Sequence, residues 1–244
     1  MVDPSTGGIA VLPTNSHTWV EPSDVTVGWW SGTTHPGEWD GDTPEDRATL
    51  PDVRAAWSMF SDLQARLPGP TNSLVRSKWY GRGWGRDDGA MQVFYAGVGR
   101  ARGSVMLSAR QSWWEQADAP DLIAWFGALT RGWHVSRLDL AADDRAPDHL
   151  TPRALYDRLP AARSRSRPEH RALTTDWAGN EKLTIGSRAS ARYGRIYVKG
   201  ERVRHELELK QDVAGRAWVQ LTNGVSVPRV WADEYRRLVE WQSS

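Results

Sequence analysis

The segment from Thr184 to Lys210, TIGSRASARYGRIYVKGERVRHELELK, gathers groups that can handle a phosphodiester. It holds Tyr193 and Tyr197, the carboxylates Glu206 and Glu208, and the cations Arg188, Arg195, Lys199, Arg204 and Lys210. A second segment, HVSRLDLAADD (134–144), adds Arg137, Asp139 and Asp143. Clustered carboxylates are hard oxygen ligands and suit Mg²⁺ or Mn²⁺. Arginines suit phosphate oxygens through their planar fork of donors. A tyrosine beside both is a nucleophile candidate. Its phenol, with a pKa near ~10, is weak until a cation or positive field favours the phenolate.

These groups can act together only if the chain folds them onto one face. Gly200-Glu201 fits a two-residue hairpin turn with glycine at its first central position. That turn opposes Tyr197 to Arg204, Arg195 to Glu206 and Tyr193 to Glu208. Strand alternation then puts Tyr193, Arg195, Tyr197, Lys199, Arg204, Glu206, Glu208 and Lys210 on one side. Ile196, Val198, Val203, His205, Leu207 and Leu209 take the other, a core face in which His205 is expected to be a satisfied core residue. Arg137, Asp139 and Asp143 alternate with Leu138, Leu140 and Ala142, so 133–144 is a strand whose carboxylates could join the same sheet. Spacing alone is also compatible with an amphipathic hairpin whose polar face is a solvated ladder of salt bridges.

Other elements follow from pattern. Strands are expected at 24–34, 77–84, 90–97, 103–110, 171–177, 182–187, 192–199 and 202–210. Helices are expected at 51–69, 120–132, 151–160, 213–222 and 229–242. Thr151 serves as N-cap with Pro152 in the first turn, and Asn223-Gly224 stops the fourth helix. The fold class is α+β: a largely antiparallel, curved sheet with helices packed on one face. The order of elements over 77–144 and 171–222 is loosely repeated. Residues 1–50 are expected to form an extension with an acidic loop, and 51–244 the working domain.

Composition narrows the functional classes. Cysteine is absent, which excludes a disulfide framework, a thiolate metal site and a cysteine nucleophile. No apolar run approaches the ~20 residues of a membrane span, and the first residues lack a signal-peptide pattern. A cytoplasmic location is expected. Residues 1–50 hold one basic residue, Arg47, against eight acidic ones, whereas 151–210 hold fourteen basic against seven acidic. That asymmetry suits a basic face for a polyanion. Of 15 tryptophans, most are expected in the core and a few could stack on unpaired bases. GRGWG (81–85) lacks the Lys-Ser/Thr of a phosphate loop.

Taken together, these motifs resemble a known family. HVSRLDLAADD is similar to the (T/S)RxDLAxDD motif of the rolling-circle replication initiators of plasmids and filamentous phages. LTIGSRASARYGRIYVKG resembles their IGSRxSxxxxRIY element, RHELELK a following RxElxlK element, and GSVMLSARQSWWE a weaker further motif. The likeness covers roughly 75–222. It implies an enzyme that nicks one DNA strand at an origin, with a tyrosine left on the 5′ phosphate and a 3′ hydroxyl left to prime synthesis. Related members act as conjugative relaxases. Carried residue by residue, the nucleophile falls on Tyr197 and the metal carboxylates on Asp139, Glu206 and Glu208, with Mg²⁺ or Mn²⁺ as cofactor. Arg188, Arg195 and Lys199 match phosphate-handling positions, and Arg137, Arg204 and Lys210 join them as DNA contacts. The residue after the tyrosine, often acidic in the family, is Val198 here, and only ERV separates Gly200 from Arg204.

Implied partners are a single-stranded or hairpin origin, a host helicase and polymerase, and a second copy of the chain. No helix-turn-helix precedes the catalytic region, and no His-hydrophobic-His triad is present. Two other readings stay open. Glu208-Leu209-Lys210 fits the (D/E)xK element of nucleases that use water, with Asp139 or Glu206 as further ligand. A DNA-binding relative without chemistry would also carry these strands, in keeping with Val198.

Overall fold

Apolar alternation makes Val25–Thr34 the first strand, β1, as expected. The computed structural model describes residues 25–34, 44–72, 76–116, 119–144, 151–158 and 171–243. Most of the acidic loop, the basic connector 161–170 and the first 24 residues fall outside them. The chain divides into two compact units.

One unit is Trp29–Arg137. Its strands run β2 (Thr71–Asn72), β3 (Tyr80–Arg86), β4 (Met91–Gly97), β5 (Val105–Arg110) and then β1, in that spatial order. All these pairings are antiparallel. Helix α1 (Pro44–Arg66) packs on β4 and buries Ala56, Phe60 and Leu63 at helical spacing. It starts earlier than the expected residue 51, because Pro44 rather than Pro51 takes the first-turn place that proline favours. The short α2 (Gln111–Trp114), not expected from pattern, and α3 (Ala119–Leu129) complete an aromatic core. There Trp30 meets Phe126 edge-on at 4.8 Å, and Trp113 meets Trp114 at 4.9 Å. The first four residues of β6 (His134–Asp144) belong here.

The other unit comprises Met1–Gly28 and Leu138–Ser244. The rest of β6 is followed in the sheet by β10 (Arg202–Lys210), β9 (Arg192–Lys199), β8 (Glu181–Ile185) and β7 (Arg171–Thr175). The last four pair antiparallel. Leu183, Ile185, Ile196, Val203, Leu207 and Leu209 are buried. Helix α5 (Gln211–Thr222) packs on β10, α6 (Val227–Ser243) on β9, and α4 (Pro152–Arg158) on β7 and β8. Thr151 caps α4, its hydroxyl accepting from the Ala154 N–H at 3.1 Å. Gly194 lets α6 approach: a Cβ there would lie 2.8 Å from the end of Leu238.

His205 sits on the buried face of β10, its Nδ1 3.4 Å from the Tyr235 hydroxyl and its ring edge-on to Trp231. Burial pushes its imidazole down to about 4 against a smaller upward pull from Asp143. The histidine is therefore a neutral core residue. No described helix is long and apolar enough to cross a membrane.

Candidate active site

The β9–β10 hairpin turns at Gly200-Glu201, with Gly200 at φ +62°, a conformation that costs glycine little. Its register opposes Tyr197 to Arg204, Arg195 to Glu206 and Tyr193 to Glu208, as the alternation requires. One face of the pair therefore carries the polar groups, while Ile196, Val203, His205, Leu207 and Leu209 on the other are buried; Val198, expected among them, is exposed, because it lies next to the hairpin turn at the end of β9.

On that face the Tyr197 hydroxyl donates to Glu206 Oε1 at 2.5 Å. Beside it, one nitrogen of Arg195, Nη2, lies 3.0 Å from Glu206, 3.5 Å from Asp139 and 3.8 Å from Glu208. The three carboxylates named from sequence thus converge on a single guanidinium, although β6 and β9 are not neighbours in the sheet. Lys210 closes the cluster, its ammonium 2.8 Å from Glu208 and also donating to the Arg188 carbonyl. That second bond ties the β8–β9 connection to the end of β10.

Tyr197 is half-buried, and its phenol is held above its ordinary value. Burial is the largest cause, followed by the hydrogen bond to Glu206 and that group's negative charge. Arg204 and Arg195 pull the other way. In this arrangement the phenol keeps its proton, and Glu206 is the group positioned to receive it. Tyr193 is buried, its ring 5.9 Å from the Arg188 guanidinium and 6.0 Å from that of Arg195.

The remaining cations are placed differently from one another. Arg204 is buried and grips Asp143 with two bonds of 2.6 Å, and Arg202 adds a third at 3.2 Å. Burial acts to raise the Asp143 carboxyl, but the two guanidiniums outweigh it and hold it below the usual carboxylate range. Arg137 lies in the Trp29–Arg137 unit with its guanidinium 5.3 Å over the Trp29 ring. Arg188 and Lys199 are exposed.

Lys182 is a residue that the sequence motifs do not single out. It is the β8 neighbour of Tyr197, and Thr174 of β7 lies next in the same row. The residue is exposed, and its ammonium has no ion-pair partner among the described residues. Pairing β8 with β9 by alternation would have put it beside the tyrosine. A groove of about 810 Å³ opens over this row, lined by Thr174, Lys182, Arg188, Arg195, Tyr197 and Glu206 among others.

Among the described residues no group of three or more His, Cys, Asp or Glu side chains is closed up as metal ligands. The carboxylates gather instead around Arg195, which stands in as their cation. Asp139, Glu206 and Glu208 offer hard oxygen donors of the kind a divalent ion takes, and here Arg195 and Lys210 both lie against them.

No protein-family model matches the chain, and no curated protein matches it in sequence. Among solved structures it is similar to the rolling circle replication initiator protein from Geobacillus stearothermophilus, with a TM-score of 0.57 and 16% identity. The match covers 83% of this chain and 80% of that one. At this identity the likeness is one of fold, and it coincides with the α+β architecture expected from sequence.

Proposed function

We propose that this chain, built on the fold of a replication initiator, nicks one DNA strand and holds the 5′ end covalently on Tyr197. The observation that carries the reading is the Tyr197–Glu206 hydrogen bond beside the cluster of Asp139, Glu206 and Glu208. A nickase needs a nucleophile, an acceptor for its proton and positive charge for the phosphate, and these three lie on one hairpin face.

In the proposed step Tyr197 Oη attacks the phosphorus as Glu206 accepts the phenolic proton. The Oη–P bond forms and the P–O3′ bond breaks. The 3′ oxygen leaves, takes up a proton, and is left as a free hydroxyl. The phosphotyrosine bond is itself a good electrophile, so the same site run in reverse rejoins strands. Arg195, Lys182 and Arg188 face the groove and supply charge for the flanking phosphates. Asp139, Glu206 and Glu208 are the residues that would hold Mg²⁺ or Mn²⁺, and the ion would supply further positive charge at the phosphate.

The test is incubation with a labelled single-stranded oligonucleotide and Mn²⁺, followed by denaturing electrophoresis. A protein–DNA band that survives denaturation supports the reading. Cleavage without such a band would instead assign the site to hydrolysis by water, with Glu208 and Lys210 at its centre.

A further inference from the structure

The β7–β8 hairpin ends in Asp176-Trp177-Ala178-Gly179-Asn180, and Trp177 is 99% exposed. A tryptophan wholly in water contributes nothing to a core, so its place at a tip calls for another cause. The tip is also a built turn. Asp176 Oδ1 accepts from the N–H groups of Ala178 and Asn180, each at 2.9 Å, and Oδ2 accepts from the Asn180 side chain at 3.1 Å. These bonds, those of Asn180 foremost, hold the Asp176 carboxyl below its usual range. Gly179 at φ +84° takes the backbone position that other residues resist. The indole is thus presented on a turn fixed by its neighbours.

The groove over Tyr197 runs up to this tip, for Asp176 and Asn180 line it together with Lys182. Its acidic members are already engaged: Asp176 points into the turn, Glu181 is paired with Arg153 at 2.8 Å, and Glu206 is held by Tyr197 and Arg195. Lys182 is left facing the groove with no ion-pair partner among the described residues. Lys182 follows Gly179 by three positions, with Asn180 and Glu181 between them, about 10 Å along an extended chain and roughly the length of three stacked nucleotides.

We propose that Trp177 is a base-stacking platform for single-stranded DNA lying in this groove, placed a few nucleotides from the strand position that meets Tyr197. The inference rests on the nickase reading for which strand is bound, but its test does not need the chemistry. A single strand supplies what the groove can hold: phosphates for Lys182, Arg188 and Arg195, and an unpaired base with an open face for the indole. Duplex DNA keeps its bases stacked on each other and offers none to a tip residue.

The test measures binding, without divalent metal, of labelled oligodeoxyadenylate and of an abasic strand of equal length. The proteins are the unmutated chain, Trp177→Ala and Trp177→Phe. Trp177→Ala should weaken binding of the base-bearing strand about tenfold, or about 1.4 kcal/mol, and leave the abasic strand unaffected. Trp177→Phe should restore most of the loss. Equal losses on both strands, or none on either, would overturn the stacking role. So would a Trp177→Ala protein that changes oligomeric state and keeps its DNA affinity, since the indole would then be a contact between protein copies. If stacking is found but no covalent adduct forms with any divalent ion, the platform stands and the nickase reading fails. If an adduct forms but binding shows no base dependence, the platform fails and the nickase reading stands.

Discussion

The Tyr197 hydroxyl donates to Glu206 Oε1 at 2.5 Å, joining the nucleophile candidate to a carboxylate of the cation cluster across one strand pair. Tyr197→Phe removes that hydroxyl and nothing else from the groove. Glu206 keeps Arg195 as a partner at 3.0 Å, so the stability cost should not exceed about 1.5 kcal/mol. The covalent protein–DNA band should vanish in Tyr197→Phe and persist in Tyr193→Phe, because Tyr193 is buried beneath two arginines. The opposite pattern in the gel would transfer the nucleophile to Tyr193.

The carboxylates should separate chemistry from binding. Asp139→Ala or Glu206→Ala should lower divalent-dependent cleavage by about a thousandfold, since a bound ion contributes several kcal/mol to a phosphoryl transition state. Affinity for single-stranded DNA should hold or rise, because each change leaves the Arg195 charge less neutralised. Thermal unfolding gives a second readout. Mn²⁺ at a hundred times its dissociation constant should stabilise the unmutated protein by about 2.7 kcal/mol, and the variants should lose that gain. A Mn²⁺-induced shift retained in both variants would place the ion elsewhere.

Asp143 and Arg204 predict a different phenotype. Both are buried and joined by two 2.6 Å bonds, so removing either strands a charge. Arg204→Ala should destabilise by about 3 kcal/mol, the lower end for a broken buried pair because Arg202 still reaches Asp143. An Asp143→Ala, Arg204→Ala double variant should lose clearly less than the two single losses added together. Chemical denaturation of the three proteins measures this. Strict additivity would mean that the pair does not couple.

What could be foreseen divides along the range of the interactions. The hairpin register at Gly200-Glu201 is local, set by one turn and by a period of two, and so it was legible down to which residue opposes which. The end of α5 at Gly224, with φ +87°, is local in the same way. The burial of Arg204 was not legible, because alternation puts it on the polar face and only the arrival of β6 supplies Asp143. Lys182 escapes notice for a related reason: its place beside Tyr197 depends on which strand flanks β9. The exposure of Trp177 runs against the average behaviour of tryptophan. The Asp176–Asn180 turn is what presents it, a feature that D-W-A-G-N spells out once the strands on each side are fixed.

His205 makes stability depend on pH. Its unfolded value is near 6.5 and its folded value about 4, so below pH 6.5 the unfolded chain binds the extra proton first. The stabilisation is complete above pH 6.5 and is lost as pH falls toward 4, at most about 3 kcal/mol for the full interval. Asp143, whose carboxyl is depressed by Arg204 and Arg202, contributes little between pH 7 and pH 4.5, because its stabilisation is lost only as pH falls below about 4, where the unfolded carboxyl takes up its proton. The groups packed around His205 are Tyr235 and Trp231. Burial raises the Tyr235 phenol well away from this range, which keeps it protonated throughout. Urea unfolding at pH 7 and pH 4.5 should therefore show a drop in the unmutated protein that is reduced in His205→Gln, whose amide can still meet the Tyr235 hydroxyl and does not titrate. An equal drop in both proteins would show that another group, not His205, takes up the proton.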